Sequence, residues 1–135
     1  MPEFKSSSFS VNASHNVLVD FLSVPSNLLE ILPADRIEDW KTEGENCSFK
    51  IRGLSRIALR LSEKQDEQVI YSSTSEKPFP FKLNIHMKNV GNNQSAFNAN
   101  FDADVNSFMS MMLEKPLTAF LNSLGDSISK KYSGS

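Results

Sequence analysis

Hydrophobic positions change period several times along the chain, and each change marks an element. In Phe4–Ala13, short polar and β-branched residues with Phe9 and Val11 in alternation predict a first strand. At Ser14, a good helix cap, the spacing becomes helical: Val17, Leu18, Phe21 and Leu22 fall on one face of a helix starting at His15. Pro25 suits the first turn of a second short helix, Ser26–Leu32, which Pro33 ends. From Arg36 onward the alternation is that of strands. Ile37–Lys41 leads into the turn Thr42–Glu45, and Cys47, Phe49 and Ile51 alternate up to Gly53. Ile57, Leu59 and Leu61 alternate up to the charged turn Glu63–Glu67. Val69 and Tyr71 mark the next strand, which closes at a loop ending Pro78-Phe79-Pro80. Phe81, Leu83, Ile85 and Met87 form the clearest strand, Gly91-Asn92-Asn93 stops it, and Phe97, Ala99, Phe101 and Ala103 form the last. Short turns between these six consecutive strands predict an antiparallel meander with one wet and one dry face.

The dry face needs a cover, and the C-terminal helix is expected to supply it alone. With Asp104 as N-cap, Val105–Lys130 is a long helix that Gly125 weakens near its far end. On a wheel of about 100° per residue, Val105, Phe108, Met109, Met112 and Leu113 point one way. Leu117, Phe120, Leu121, Leu124 and Ile128 point another, roughly 100° round the same wheel. A straight helix cannot bury both stripes against one sheet. Pro116 removes a backbone N–H and crowds the carbonyl of Met112, which predicts a kink that re-aims the second stripe. Met109 and Met112 suit an irregular apolar wall, because the methionine side chain has soft torsions and a polarizable sulfur. Met111 falls outside both stripes.

Strand, two short helices, six strands and a long helix is an order that resembles the START-like, Bet v 1-like superfamily. The stretches ASHNVLVDFLSVPSNLLEILP at the front and ADVNSFMSMMLEKPLTAFLNSL at the back carry the likeness, which spans residues 1–135. Within the superfamily the chain is most similar to small bacterial polyketide-cyclase-like (SRPBCC) proteins. The resemblance implies an α+β helix-grip fold in one domain: a curved antiparallel sheet of about seven strands around the C-terminal helix, with two short helices after the first strand. It also implies an apolar cavity between sheet and helix. Members carry lipids, sterols, hormones or polyketides, a few are cyclases or hydrolases, and others assist chaperones. The long glycine-rich loop of the plant allergen branch is missing; only Gly53 stands near the matching turn.

On that frame the candidate cavity lining is Trp40, Phe49, Leu59, Tyr71, Ile85, Phe97, Phe101, Phe108, Met109, Met112 and Phe120. Trp40 and Tyr71 are the candidates for orienting a ligand. Strand parity turns Trp40 away from Ile37, yet a large ring near a sheet end can close a pocket mouth. The Tyr71 phenol has two readings, a bond to a ligand oxygen or one to a backbone carbonyl. The small side chains of Ala99 and Ala103 leave volume for the helix or for a ligand.

Composition narrows the chemistry. A net charge of -2 leaves no basic excess for a phosphate backbone, so no nucleic-acid partner is expected. Cys47 is the one cysteine, which excludes an intrachain disulfide framework and a cysteine-based metal cluster; it shares parity with Phe49 and reads as a small core hydrophobe. No apolar run approaches a membrane span, no membrane insertion is expected, and a cytoplasmic location is. His86 shares the wet face with Lys82, Asn84 and Lys88, and His15 stands at a helix start with no second metal ligand at a useful spacing. Glu38, Asp39, Glu43 and Glu45 form a carboxylate cluster that reads as a solvated turn rather than an acid–base pair. No catalytic constellation, metal site or cofactor is recognisable. The expectation is a small hydrophobic molecule bound by a monomer or weak homodimer, with a cyclase or aromatase-type enzyme and a protein-partner module as the alternatives.

Overall fold

The computed structural model describes residues 3–32, 37–52, 54, 56–74 and 79–132. Pro33, Gly53 and Pro78, which the sequence places at turns, lie outside these residues.

Six consecutive strands form the expected meander: β3 (Ile37–Glu43), β4 (Asn46–Ile51), β5 (Arg56–Gln65), β6 (Gln68–Ser73), β7 (Phe81–Gly91) and β8 (Gln94–Ala103). Every neighbouring pair is antiparallel. The first strand is in fact two, β1 (Glu3–Lys5) and β2 (Phe9–Val11), both paired with β8. The break falls in Ser6–Ser8, where backbone and hydroxyl groups of serine take over: the Ser6 amide donates to the Ala99 carbonyl and the Ala99 amide donates to Ser6 Oγ, each at 2.9 Å. The sheet order is β1-β8-β7-β6-β5-β4-β3 with β2 also on β8.

Three register shifts each insert one extra residue, in β3 between Glu38 and Lys41, in β5 between Leu61 and Glu63, and in β7 between Asn89 and Gly91. Such bulges increase twist and bend a strand, and they lie at three places in a sheet that curves around α2 (Ser107–Lys131). This is the helix-grip architecture.

Between β2 and β3 the chain forms α1 (His15–Leu22) and a 3-10 helix (Pro25–Glu30). Ser14 caps α1 as expected: the Val17 amide donates to its hydroxyl at 3.3 Å. Leu18, Val19 and Leu22 are the buried face, while Val17 is exposed rather than inward. Leu18, Leu22, Leu28 and Ile31 join the same core as Phe49, Tyr71, Ile85 and Phe120. The dry face therefore has two covers, where the sequence reading allowed only α2. The helical period of a segment as short as α1 does not say which neighbour its apolar face meets.

α2 begins later than expected. Asp104 is still tied to the sheet, its amide donating to the Pro80 carbonyl at 2.9 Å. Asn106 is the cap instead, its Oδ1 accepting from the Met109 amide at 2.8 Å. The helix runs on through Pro116 to Lys131.

Candidate functional site

The concave face of the sheet holds most of the candidate lining. Phe49, Leu59, Tyr71, Ile85, Phe97 and Phe101 point inward from β4 to β8, and Phe120 meets them from α2; all seven are buried against protein. The sheet and helix touch through aromatic rings. Phe49 stacks on Phe120 with centroids 5.9 Å apart, and Trp40 stacks on the other side of the network at 5.8 Å from Phe49. Parallel, offset rings at these distances add about 0.5–1.5 kcal/mol per pair beyond the burial itself. Trp40 is half-buried, so this column runs from the helix to the protein surface.

Trp40 is on the inner face because of the bulge, which strand parity did not foresee. Lys41 pairs with Ser48 where unbroken counting from Ile37–Ile51 would pair it with Cys47. The extra residue restores Trp40 to the side of Phe49. The bulge contains Asp39 at φ 54°, a left-handed backbone conformation that aspartate tolerates better than most residues.

Tyr71 takes the second of its two readings. Its hydroxyl donates to the Leu22 carbonyl at 2.5 Å, in the last turn of α1, where a helix leaves carbonyls without intrahelical partners. Burial, with a smaller contribution from Cys47, pushes the phenol well above its ordinary range, so it stays a neutral donor. The same burial pushes the Cys47 thiol up to about 12, which leaves it without the thiolate a nucleophile requires.

The first stripe of α2 is a correction. Phe108 is 70% exposed and Met112 60%, and neither packs in the interior; Met109 is half-buried. Met111, outside both stripes, is 77% exposed. The buried residues of α2 are Leu113, Leu117, Phe120, Leu121, Leu124, Gly125 and Ile128, which is essentially the second stripe. The helix buries the second stripe together with Leu113 and leaves Phe108 and Met112 of the first stripe exposed.

Polar candidates are engaged elsewhere. Glu38 lies 3.9 Å from Lys50 and 4.0 Å from Arg52, and Asp39 3.9 Å from Arg56, all at the surface. His86 Nε2 and Asn100 Oδ1 are 3.2 Å apart on the outer face, where Asn84 also donates to Asp102 at 3.1 Å. His15 Nδ1 lies 2.9 Å from the Asp66 carbonyl, which can only accept, so this nitrogen carries the proton. Among the described residues no group of three His, Cys, Asp or Glu is placed to hold a metal, and no helix is long and apolar enough to cross a membrane.

This arrangement defines a class: a helix-grip protein of the START-like, Bet v 1-like fold, with an apolar interior between sheet and C-terminal helix. Solved structures show the same fold over nearly the whole chain. A START superfamily protein from Mycobacterium smegmatis is 10% identical, with 97% of each chain covered and a TM-score of 0.69. Norcoclaurine synthase from Thalictrum flavum is 16% identical, covering 98% of this chain and 87% of its own, with a TM-score of 0.73. The protein XoxI from Bacillus cereus is 16% identical, covering 99% and 97%, with a TM-score of 0.72. No sequence-family model matches the chain, and no curated protein does. The likeness is therefore one of fold alone, shared with proteins of which one is a synthase.

Proposed function

We propose that the chain, acting as one unit, binds a small hydrophobic molecule of lipid-, sterol- or polyketide-like character between the sheet and α2. The observation that carries this reading is the column Trp40–Phe49–Phe120, which joins sheet to helix and ends at a half-buried indole. A ligand would gain chiefly by removing carbon from water, and Trp40 offers both an apolar ring and an N–H for orientation. Phe49, Leu59, Ile85, Phe97, Phe101 and Phe120 are packed against their neighbours, so uptake proceeds by parting sheet and helix rather than by filling an open hole. Met109, Met112 and Phe108 present apolar surface at the free half of α2 and form the approach. Tyr71 contributes by anchoring α1, its hydroxyl being committed to Leu22.

Native mass spectrometry of protein purified from its own host tests this, together with titration of the apo protein by a fluorescent apolar probe while Trp40 emission is followed. A co-purifying molecule, or a saturable Trp40 response, supports the reading. Repeated absence of both overturns it.

A second reading has its own observation. Phe108, Met111 and Met112 together expose apolar surface on one half of a helix, and surfaces of that kind mark partner interfaces. In that reading α2 docks a protein, and substituting these three residues abolishes association while leaving probe binding intact.

A further inference from the structure

The bulge that turns Trp40 inward is held from outside. Arg56, at the start of β5, reaches across β4 on the outer face. Its Nη2 donates to Ser48 Oγ and to the backbone carbonyl of Asp39, each at 2.9 Å. Its Nη1 stands 3.9 Å from the Asp39 carboxylate, a longer and exposed contact. One guanidinium thus ties three strands together at the residue whose backbone is in the left-handed region. Aspartate tolerates such a conformation better than most residues but does not prefer it, so a contact that fixes its carbonyl helps to hold it there. The planar fork of arginine, with several donors in fixed geometry, suits that task in a way a lysine ammonium does not.

We infer that Arg56 is the positioning residue for Trp40: by fixing the Asp39 carbonyl it keeps the extra residue in β3, and the extra residue keeps the indole stacked on Phe49. Arg56 makes these bonds on the outer face and acts through the backbone of β3. The functional sense of this inference rests on the ligand-binding reading above, but its first readout does not. Trp40 is the one tryptophan in the chain, so its emission reports its own environment without labels.

The experiment compares the apo proteins wild type, Arg56→Met, Arg56→Lys, Asp39→Gly and Asp39→Val by tryptophan emission, near-ultraviolet circular dichroism and acrylamide quenching. Each is then titrated with 8-anilinonaphthalene-1-sulfonate. Arg56→Met keeps the apolar stem and removes every donor; its emission is expected to move to longer wavelength, with loss of the tryptophan near-ultraviolet signal and easier quenching. Arg56→Lys falls between the two. Asp39→Gly keeps the wild-type spectrum, since glycine accepts the positive φ and the carbonyl that Arg56 holds is unchanged. Asp39→Val reproduces Arg56→Met from the other side of the contact. Should Arg56→Met fail to fold, the contrast between the two Asp39 variants carries the test. Probe affinity is expected to fall roughly two- to tenfold in Arg56→Met, the worth of one aromatic stack. Wild-type apo spectra in both Arg56→Met and Asp39→Val would overturn the inference. A shifted spectrum with unchanged probe affinity would uphold the clamp and count instead against Trp40 as part of the ligand site.

Discussion

Replacing Gly125 with alanine sets two well-characterised effects against each other at one position. In the interior of a helix alanine is favoured over glycine by about 0.8–1.0 kcal/mol, and Gly125 lies well inside α2. Yet a Cβ at this position would stand 2.3 Å from Cδ1 and 2.4 Å from Cε1 of Phe9, and 3.0 Å from its Cγ. Contacts that short require a shift of the ring or of the helix. The helix is restrained, because Ser129 Oγ donates to the Ser10 carbonyl at 2.8 Å and Asn122 Oδ1 accepts from the Ser7 amide at 2.8 Å. The ring of Phe9 is half-buried and takes most of the movement. Overpacking of this kind costs about 1–3 kcal/mol, so Gly125→Ala should destabilise by up to about 2 kcal/mol after the propensity gain is subtracted. In a Phe9→Ala background the obstacle is gone and the same substitution should stabilise by up to about 1 kcal/mol. Urea unfolding of the four proteins, followed by far-ultraviolet circular dichroism, gives the cycle. A coupling below about 0.5 kcal/mol, the scatter of independent sites, would refute the packing argument and leave Gly125 as a simple helix weakness.

Tyr71→Phe leaves the Leu22 carbonyl without its donor in the core, so unfolding free energy should drop by about 1–3 kcal/mol, read by urea midpoint at constant slope. Stability should also fall in alkali. The Cys47 thiol ionises near 9.0 when unfolded and only at about 12 when folded, so its contribution is complete below pH 9.0 and is lost as pH rises towards 12. Tyr71, raised by the same burial, acts in the same direction. Urea unfolding between those pH values should show a shallower decline in Cys47→Ala, and an unchanged slope would remove Cys47 from the account. Serine substitutions at Phe108, Met111 and Met112 should each change stability by no more than about 0.5 kcal/mol, because all three are exposed; a large loss by thermal melting would show that this half of α2 is covered in solution.

The fold was legible where a single periodicity decided it. Phe81–Met87 and Phe97–Ala103 alternate without interruption, and the two strands pair along almost their full length in the expected antiparallel sense. Legibility failed where one residue changed the phase. Counting by two through Ile37–Lys41 sends Trp40 outward, and nothing in that local pattern announces the extra residue; the reason lies in Arg56, many positions later, reaching back across β4 to the Asp39 carbonyl. The helix failed differently. The wheel offered two apolar directions, but it cannot say which residues the sheet takes. Burial answers that: Leu117, Phe120, Leu121, Leu124 and Ile128 of the second stripe fill the core together with Leu113 of the first, while Phe108 and Met112 remain outside, as does Met111, which lies off both stripes. A helix that needed only to close the sheet would gain nothing from apolar side chains on the surplus stripe, since each exposed one favours association over solubility. Their presence on the half of α2 that lies before Pro116 fits the proposed surface for an apolar guest. Among the described residues Val17, Val24, Leu29 and Val90 are also exposed, but Phe108, Met111 and Met112 stand together within one helical turn, and Trp40 is the half-buried end of an aromatic column; these are the two apolar surfaces on which the proposed binding rests.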